Sequence, residues 1–210
     1  MKVISADFVT SAAAGGTSTG IPRDGLTQVA MTGRSNVGKS TLINALARRP
    51  IARTSAAPGK TRLANVYRLT VEGHGPGRWG LYLVDLPGYG YARGGGSAAE
   101  ELRAVAETYF RESASGVALL LIDSRHPGLE SDVQAHAWLV TLRAEPLIVA
   151  TKVDKLSRAE RTRNLREVER VFGKPALPVS AERGEGMDEL WKTIASKARA
   201  AERSRKAADE

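Results

Sequence analysis

The run Gly33-Arg34-Ser35-Asn36-Val37-Gly38-Lys39-Ser40 constrains this chain more than any other feature. It has the spacing GxxxxGK[ST] and follows directly on TQVAMT, residues 27–32, a short run suited to a buried strand. A helical pattern begins near Gly38, so the chain must pass from strand to helix through a tight glycine-rich turn. In that geometry backbone N–H groups can wrap phosphate oxygens, and the helix N-terminus adds its positive end. Lys39 then reaches the β- and γ-phosphate oxygens, and the Ser40 hydroxyl is placed to ligate Mg²⁺. The competing reading is a chance glycine-rich turn, and the motifs downstream argue against it.

The first of these is VDLPGYGYA, residues 84–92, an apolar strand end carrying DxxG. Asp85 is expected to hold Mg²⁺ through water, with Leu86 and Pro87 leading to Gly88, whose N–H can meet a γ-phosphate. The second is Thr151-Lys152-Val153-Asp154, after the apolar run PLIVA. Guanine offers a ring N–H and an amine side by side, which one carboxylate accepts as a charge-assisted pair, so Asp154 selects GTP over ATP. Lys152 would lay its stem over the base, and Ser180 and Ala181, after Val179, can present backbone N–H to the guanine oxygen. Each of these short motifs is weak alone, and their order along the chain makes them strong.

Strand and helix patterns give the fold. The runs NVYRLTVEG and WGLYLVD, joined by GHGPGR, read as an antiparallel hairpin; GVALLLID and PLIVAT read as strands buried on both faces, with KPALPVS a weaker third. Ser97 with Glu100 and Ser157 with Glu160 fit capping boxes at helix starts. The expectation is an α/β fold of the P-loop NTPase type, doubly wound, with a mostly parallel six-stranded sheet, one antiparallel strand and helices on both faces. Residues 1–24 are read as a lead-in, 25–200 as the nucleotide-binding domain and 201–210 as a charged tail.

Composition narrows the function classes. The 210 residues contain no cysteine, which excludes disulfides and Cys-based zinc sites, and the three histidines have no ligand-like spacing. No apolar run is long enough to span a bilayer and the N-terminus does not look like a cleaved signal, so a soluble, cytoplasmic protein is expected. The net charge of +8 is concentrated early: residues 1–80 hold 11 Lys and Arg against 3 Asp and Glu. That balance suits a polyanionic partner such as RNA, although a basic surface can also serve solubility alone.

With FVTSA near the start, GRSNVGKSTLINAL, PGKTR, DLPGYGYA and DSRHPGLESD, the chain resembles the EngB (YihA/YsxC) family of ribosome-biogenesis GTP-binding proteins, within the translation-factor-class GTPases. The resemblance covers roughly residues 5–200 and implies a Mg²⁺-dependent GTPase that binds GTP and GDP and assists late assembly of the large ribosomal subunit. It implies that Thr61 closes on Mg²⁺ and the γ-phosphate as the switch threonine, with Gly59, Lys60, Arg62 and Leu63 beside the nucleotide; Thr54 is the less favoured candidate in the same loop. Thr151 stands where such GTPases more often carry Asn, so a base site less tied to the phosphate loop is expected. The DSRHP stretch reads either as a turn closing a strand or as a partner contact.

Tyr89 stands where many GTPases keep the Gln that orients water. Lys39, Thr61 and Asn36 are therefore the residues expected to act in catalysis, Asn36 by coordinating K⁺, with a hydrogen bond inside its own loop as the equal alternative. Arg48, Arg49, Arg53, Lys60 and Arg62 offer a basic surface around the switch for ribosomal RNA; Tyr89 and Tyr91 could stack on bases there, with packing against the protein's own switch favoured. No DNA partner, no membrane insertion and a monomer are expected. The rival class is a nucleotide-dependent binding module for a cell-division or septation protein, which needs the same pocket.

Overall fold

The computed structural model describes residues 1–12, 20–53, 63–74, 77–89, 97–112, 116–142 and 144–209. They form one sheet of seven strands: β1 Lys2–Ala12, β2 Thr27–Gly33, β3 Ala64–Glu72, β4 Arg78–Asp85, β5 Gly116–Asp123, β6 Leu147–Thr151 and β7 Leu177–Pro178. Five α-helices cover it: α1 Lys39–Ala47, α2 Ser97–Glu112, α3 Glu130–Thr141, α4 Arg158–Phe172 and α5 Met187–Asp209. A single 3₁₀ turn, Val153–Lys155, follows β6.

The strand order is β1-β3-β4-β2-β5-β6-β7. All neighbours from β4 to β7 are parallel, and β3 alone runs against the rest because it pairs antiparallel with both β1 and β4. The doubly wound class and the one reversed strand agree with the sequence; the count of six strands does not. The seventh strand is β1, which lies within the stretch read as a lead-in. Six of its eleven residues are exposed, and two register shifts break its alternation, so it carries no apolar run that would mark a strand.

Period-two alternation divides the core. Val29, Met31, Leu83, Leu119 and Leu121 face α1 and α5, where Leu42, Ile43, Leu190, Trp191 and Ile194 meet them. Ala30, Val66 and Val84 turn to the other face, against Val105 and Tyr109 of α2. Leu120, Ile122 and Ile148 on that face pack against Leu139 of α3 and Val168 and Phe172 of α4. Truncating one of the fully buried leucines, such as Leu119, to Ala is expected to cost about 2–5 kcal/mol.

Helix ends differ in a way that matters for function. Ser157 caps α4 in a complete capping box with Glu160, as the sequence indicates. At α1 the N-cap is Gly38, with φ 106° and no side-chain cap, so the first N–H groups of that helix are left for an external acceptor. Because β2, β4, β5 and β6 are parallel, Gly33, Asp85, Asp123 and Thr151 all emerge at one edge of the sheet, where doubly wound folds bind ligands.

Candidate functional site

Between β2 and α1 the turn contains two residues of positive φ, Asn36 at 64° and Gly38 at 106°. Gly33 is fixed sterically, since a Cβ there would lie 2.9 Å from both the Leu121 carbonyl oxygen and Val37 Cγ1. Lys39 extends to Asp85, with Nζ 3.3 Å from Oδ1. The carboxylate is almost wholly buried, and Oδ1 has no hydrogen-bond partner despite that ion pair. Burial pushes the Asp85 carboxyl above its ordinary range, an effect that the charge of Lys39 only offsets in part. A second cation suits such an oxygen, and the half-buried Ser40 follows Lys39 directly. Among the described residues no cluster of acidic, His or Cys side chains could hold a metal unaided. The donor set thus fits an Mg²⁺ ion shared between Ser40, Asp85 and phosphate oxygens.

The DxxG segment lies directly on the phosphate loop. Tyr89 N–H donates to the Gly33 carbonyl at 3.3 Å and Ser35 N–H to the Tyr89 carbonyl at 3.2 Å, a short parallel bridge. Leu86 N–H donates to the Met31 carbonyl at 3.1 Å. A Cβ on Gly88 would come within 3.1 Å of Ser35 N and 3.2 Å of the Gly33 oxygen. The Tyr89 ring reaches α3, where its hydroxyl donates to Asp132 Oδ1 at 3.0 Å. Packing within the protein, rather than base stacking, is therefore what the structure gives this side chain. Burial, with Asp132 beside it, raises the Tyr89 phenol far above its ordinary value.

At the base end the Thr151 hydroxyl reaches two carbonyls, Val37 at 2.7 Å and Ile122 at 3.1 Å. The expectation of a base loop less tied to the phosphate loop is therefore corrected: a hydroxyl one bond closer to the backbone makes the tie as the longer Asn amide would. Lys152, itself at φ 60°, adds a second tie by donating to the Asn36 carbonyl at 2.6 Å. Its ammonium also donates to Asp123 Oδ2 at 2.9 Å. Arg125 grips the same carboxylate from the other side, through Nε at 2.9 Å and a terminal nitrogen at 2.7 Å. The DSRHP stretch is thus a turn, with His126 N–H donating to the Asp123 carbonyl, and its acid holds Lys152. Burial alone would raise the Asp123 carboxyl, yet hydrogen bonds from Arg125 and Lys152 bring it down to about 2.

Asp154 is lowered chiefly by a hydrogen bond from Ser180, while its Oδ2, buried and 3.4 Å from Lys155, accepts no hydrogen bond. An unused carboxylate acceptor suits the kind of donor pair guanine carries. Val153 N–H donates to the Val179 carbonyl at 3.3 Å, which sets the two base loops side by side. Ser180 N–H is already given to the Glu185 carbonyl at 3.0 Å, so of the two amides read from the sequence Ala181 is the one suited to a ligand. A recess lined by Gly38, Thr41, Thr151, Lys152, Asp154 and Ala181 joins the two ends.

Thr54, Gly59, Lys60, Thr61, Arg62 and Tyr91 lie outside the described residues; Leu63 is described and exposed. Asn36 is exposed. Sequence reasoning missed Asp132 and Asn44. Asn44 makes a reciprocal pair with Ala52, its amide donating at 2.9 Å and accepting at 2.8 Å, and so anchors the start of the basic loop. Neither residue carries a local signal, because the partners are distant in sequence or are backbone groups.

Comparison with known proteins accords with this geometry. A family model described as 50S ribosome-binding GTPase matches residues 28–152. The probable GTP-binding protein EngB of Pelotomaculum thermopropionicum is 40% identical over 202 residues, covering 92% of this chain and 96% of that protein. The corresponding protein of Solibacter usitatus is 41% identical over 197 residues, with the same coverages of 92% and 96%. Among solved structures, Aquifex aeolicus Era bound to GDP and AlF₄⁻ superposes with a TM-score of 0.69 at 22% identity, covering 82% of this chain and 57% of that one. Era in complex with MgGDPNP and nucleotides 1506–1542 of 16S ribosomal RNA gives 0.66 at 25% identity, with coverages of 82% and 57%. The chain thus matches little more than half the length of either Era structure, and the first of them bears on fold alone.

Proposed function

The chain belongs to the EngB family of GTP-binding proteins, and on that premise we propose that it is a Mg²⁺-dependent GTPase switch that assists late assembly of the large ribosomal subunit in the cytoplasm, as a monomer. The observation that carries the reading is a recess running from Gly38 of the phosphate loop to Asp154, with Lys152 donating to the Asn36 carbonyl and the Lys39–Asp85 pair at the same edge of the sheet. In it the α1 amides and Lys39 bind phosphates, Ser40 and Asp85 hold Mg²⁺, and Asp154 takes the guanine edge. When bound, the ion neutralises charge on the phosphate oxygens. Thr61 would close the site in the GTP state, and Asn36 would coordinate K⁺, whose charge would stabilise the negative charge developing in the transition state, while Tyr89 is held at α3.

The ribosomal partner is supported by the description of the matching family model and by the exposed Arg48, Arg49 and Arg53, which precede Lys60 and Arg62 in the same basic loop. Co-sedimentation with purified large subunits tests it, comparing a non-hydrolysable GTP analogue with GDP at two salt concentrations. Binding favoured by the analogue and weakened by salt is the expected result. Absence of binding in both states, with nucleotide bound normally, would sink the ribosomal reading and favour a protein partner.

A further inference from the structure

The residue after DxxG is held by a buried acid on another element. Asp132 lies in the first turn of α3 and is fully buried. Its Oδ1 accepts the Tyr89 hydroxyl at 3.0 Å and lies 3.5 Å from Arg34 Nε of the phosphate loop, while Oδ2 is buried without a hydrogen bond. Arg34 and Tyr89 are also the two residues joined by the backbone bridge. One carboxylate therefore ties three pieces together: the phosphate loop, the DxxG segment and α3. We propose that Asp132 is a positioning residue for the γ-phosphate site, acting through Tyr89 to hold Gly88 against the phosphate loop; this rests on the GTPase reading.

The backbone contacts at Tyr89 are long, 3.2 and 3.3 Å, and lie beyond the end of β4. The hydroxyl–carboxylate bond, 3.0 Å and buried, adds a restraint from a separate element, α3. Gly88 immediately precedes Tyr89 and sits so tightly against the phosphate loop that a Cβ there would crowd Ser35 N and the Gly33 oxygen, so a shift of Tyr89 is passed directly to the Gly88 amide. Loosening the tyrosine should thus move the one amide assigned to the γ-phosphate and leave the α- and β-phosphate contacts alone. The arrangement also explains why an aromatic phenol, rather than a short side chain, follows DxxG: it must span from the phosphate loop to α3.

The test measures affinities of fluorescent GDP and a fluorescent non-hydrolysable GTP analogue, with Mg²⁺, and single-turnover GTP hydrolysis, for wild type, Tyr89→Phe, Asp132→Ala and Asp132→Asn. Tyr89→Phe removes one oxygen while keeping the ring's packing, and thermal melts confirm that each variant is folded. In Tyr89→Phe and Asp132→Ala, analogue affinity is expected to fall about fivefold or more and GDP affinity to stay within about twofold. Hydrolysis slows in step with the analogue. Asp132→Asn, which keeps an acceptor for the phenol, recovers most of the difference. A merely structural role would lower both affinities together, and that result, or an unchanged ratio in Tyr89→Phe, would overturn the proposal. Wild-type protein that bound no guanine nucleotide would overturn this and the GTPase reading together.

Discussion

The Thr151 hydroxyl donates to the Val37 carbonyl across 2.7 Å, which fastens the base loop to the phosphate loop. Thr151→Val keeps the shape and removes the proton, leaving two carbonyls without that donor. The expected loss is about 1–2 kcal/mol of stability together with weaker GDP binding. Urea denaturation and GDP titration measure these, and Thr151→Ser, which keeps the hydroxyl, should restore most of the binding.

Asp123 ties acid stability to the base site. Its carboxyl falls to about 2 in the folded protein, below the ordinary 3.8. The group therefore stabilises the fold fully above about pH 3.8, and the contribution is lost as pH falls through about 2. Asp123→Asn should lower the urea midpoint at pH 7 and narrow its gap from wild type between pH 4 and 2. It should also weaken GDP binding by freeing Lys152. A gap constant across that range would show that the carboxylate's charge is not what matters.

Two glycines of nearly equal conformation make a matched pair. Gly184 and Gly186 have φ of 71° and 73°, but a Cβ on Gly186 would stand 2.1 Å from the Pro178 carbonyl oxygen, whereas one on Gly184 meets nothing within 4 Å. Gly184→Ala should cost about 1 kcal/mol for its backbone alone. Gly186→Ala must also displace the strand end that leads into Val179 and Ser180, so its cost should exceed about 2 kcal/mol and its GDP affinity should drop. Equal urea midpoints for the two variants would refute the steric account.

Asn36 gives a cation test. GTP hydrolysis should be faster in K⁺ than in Na⁺ by at least about tenfold, and Asn36→Ala should abolish the difference with little change in GDP affinity. Equal rates in the two salts, unchanged by the substitution, would remove K⁺ from the mechanism.

Where chemistry is written in consecutive residues, the sequence was enough. The phosphate loop, Asp85 to Gly88 and Thr151 to Asp154 each sit at the end of a parallel strand, as their motifs imply, because backbone geometry alone sets those groups. Contacts that depend on two remote elements were not legible. Asp132 meets Tyr89 only once α3 lies beside β4's exit, and Asp123 meets Lys152 only because β5 and β6 are neighbours. Gly186 likewise reads as an ordinary turn glycine until the Pro178 oxygen is packed against it. Strand β1 escaped notice for a different reason: at a sheet edge with two register shifts, nothing forces an apolar pattern on it.

The position of β2 has a bearing on how the chain acquires its shape. It lies between β4 and β5, pairing Thr27 with Leu81 and Gln28 with Gly116, so both of its neighbours are synthesised well after it. The antiparallel β3–β4 pair is local and can close first, while β2 must wait for long loops to be drawn in, the slow step in parallel sheets. Asp154 arrives later still. Ser180 and Ala181 come last, so guanine nucleotide has nothing complete to bind until about six sevenths of the polypeptide has emerged, and from then on its binding favours the finished arrangement over every partial one.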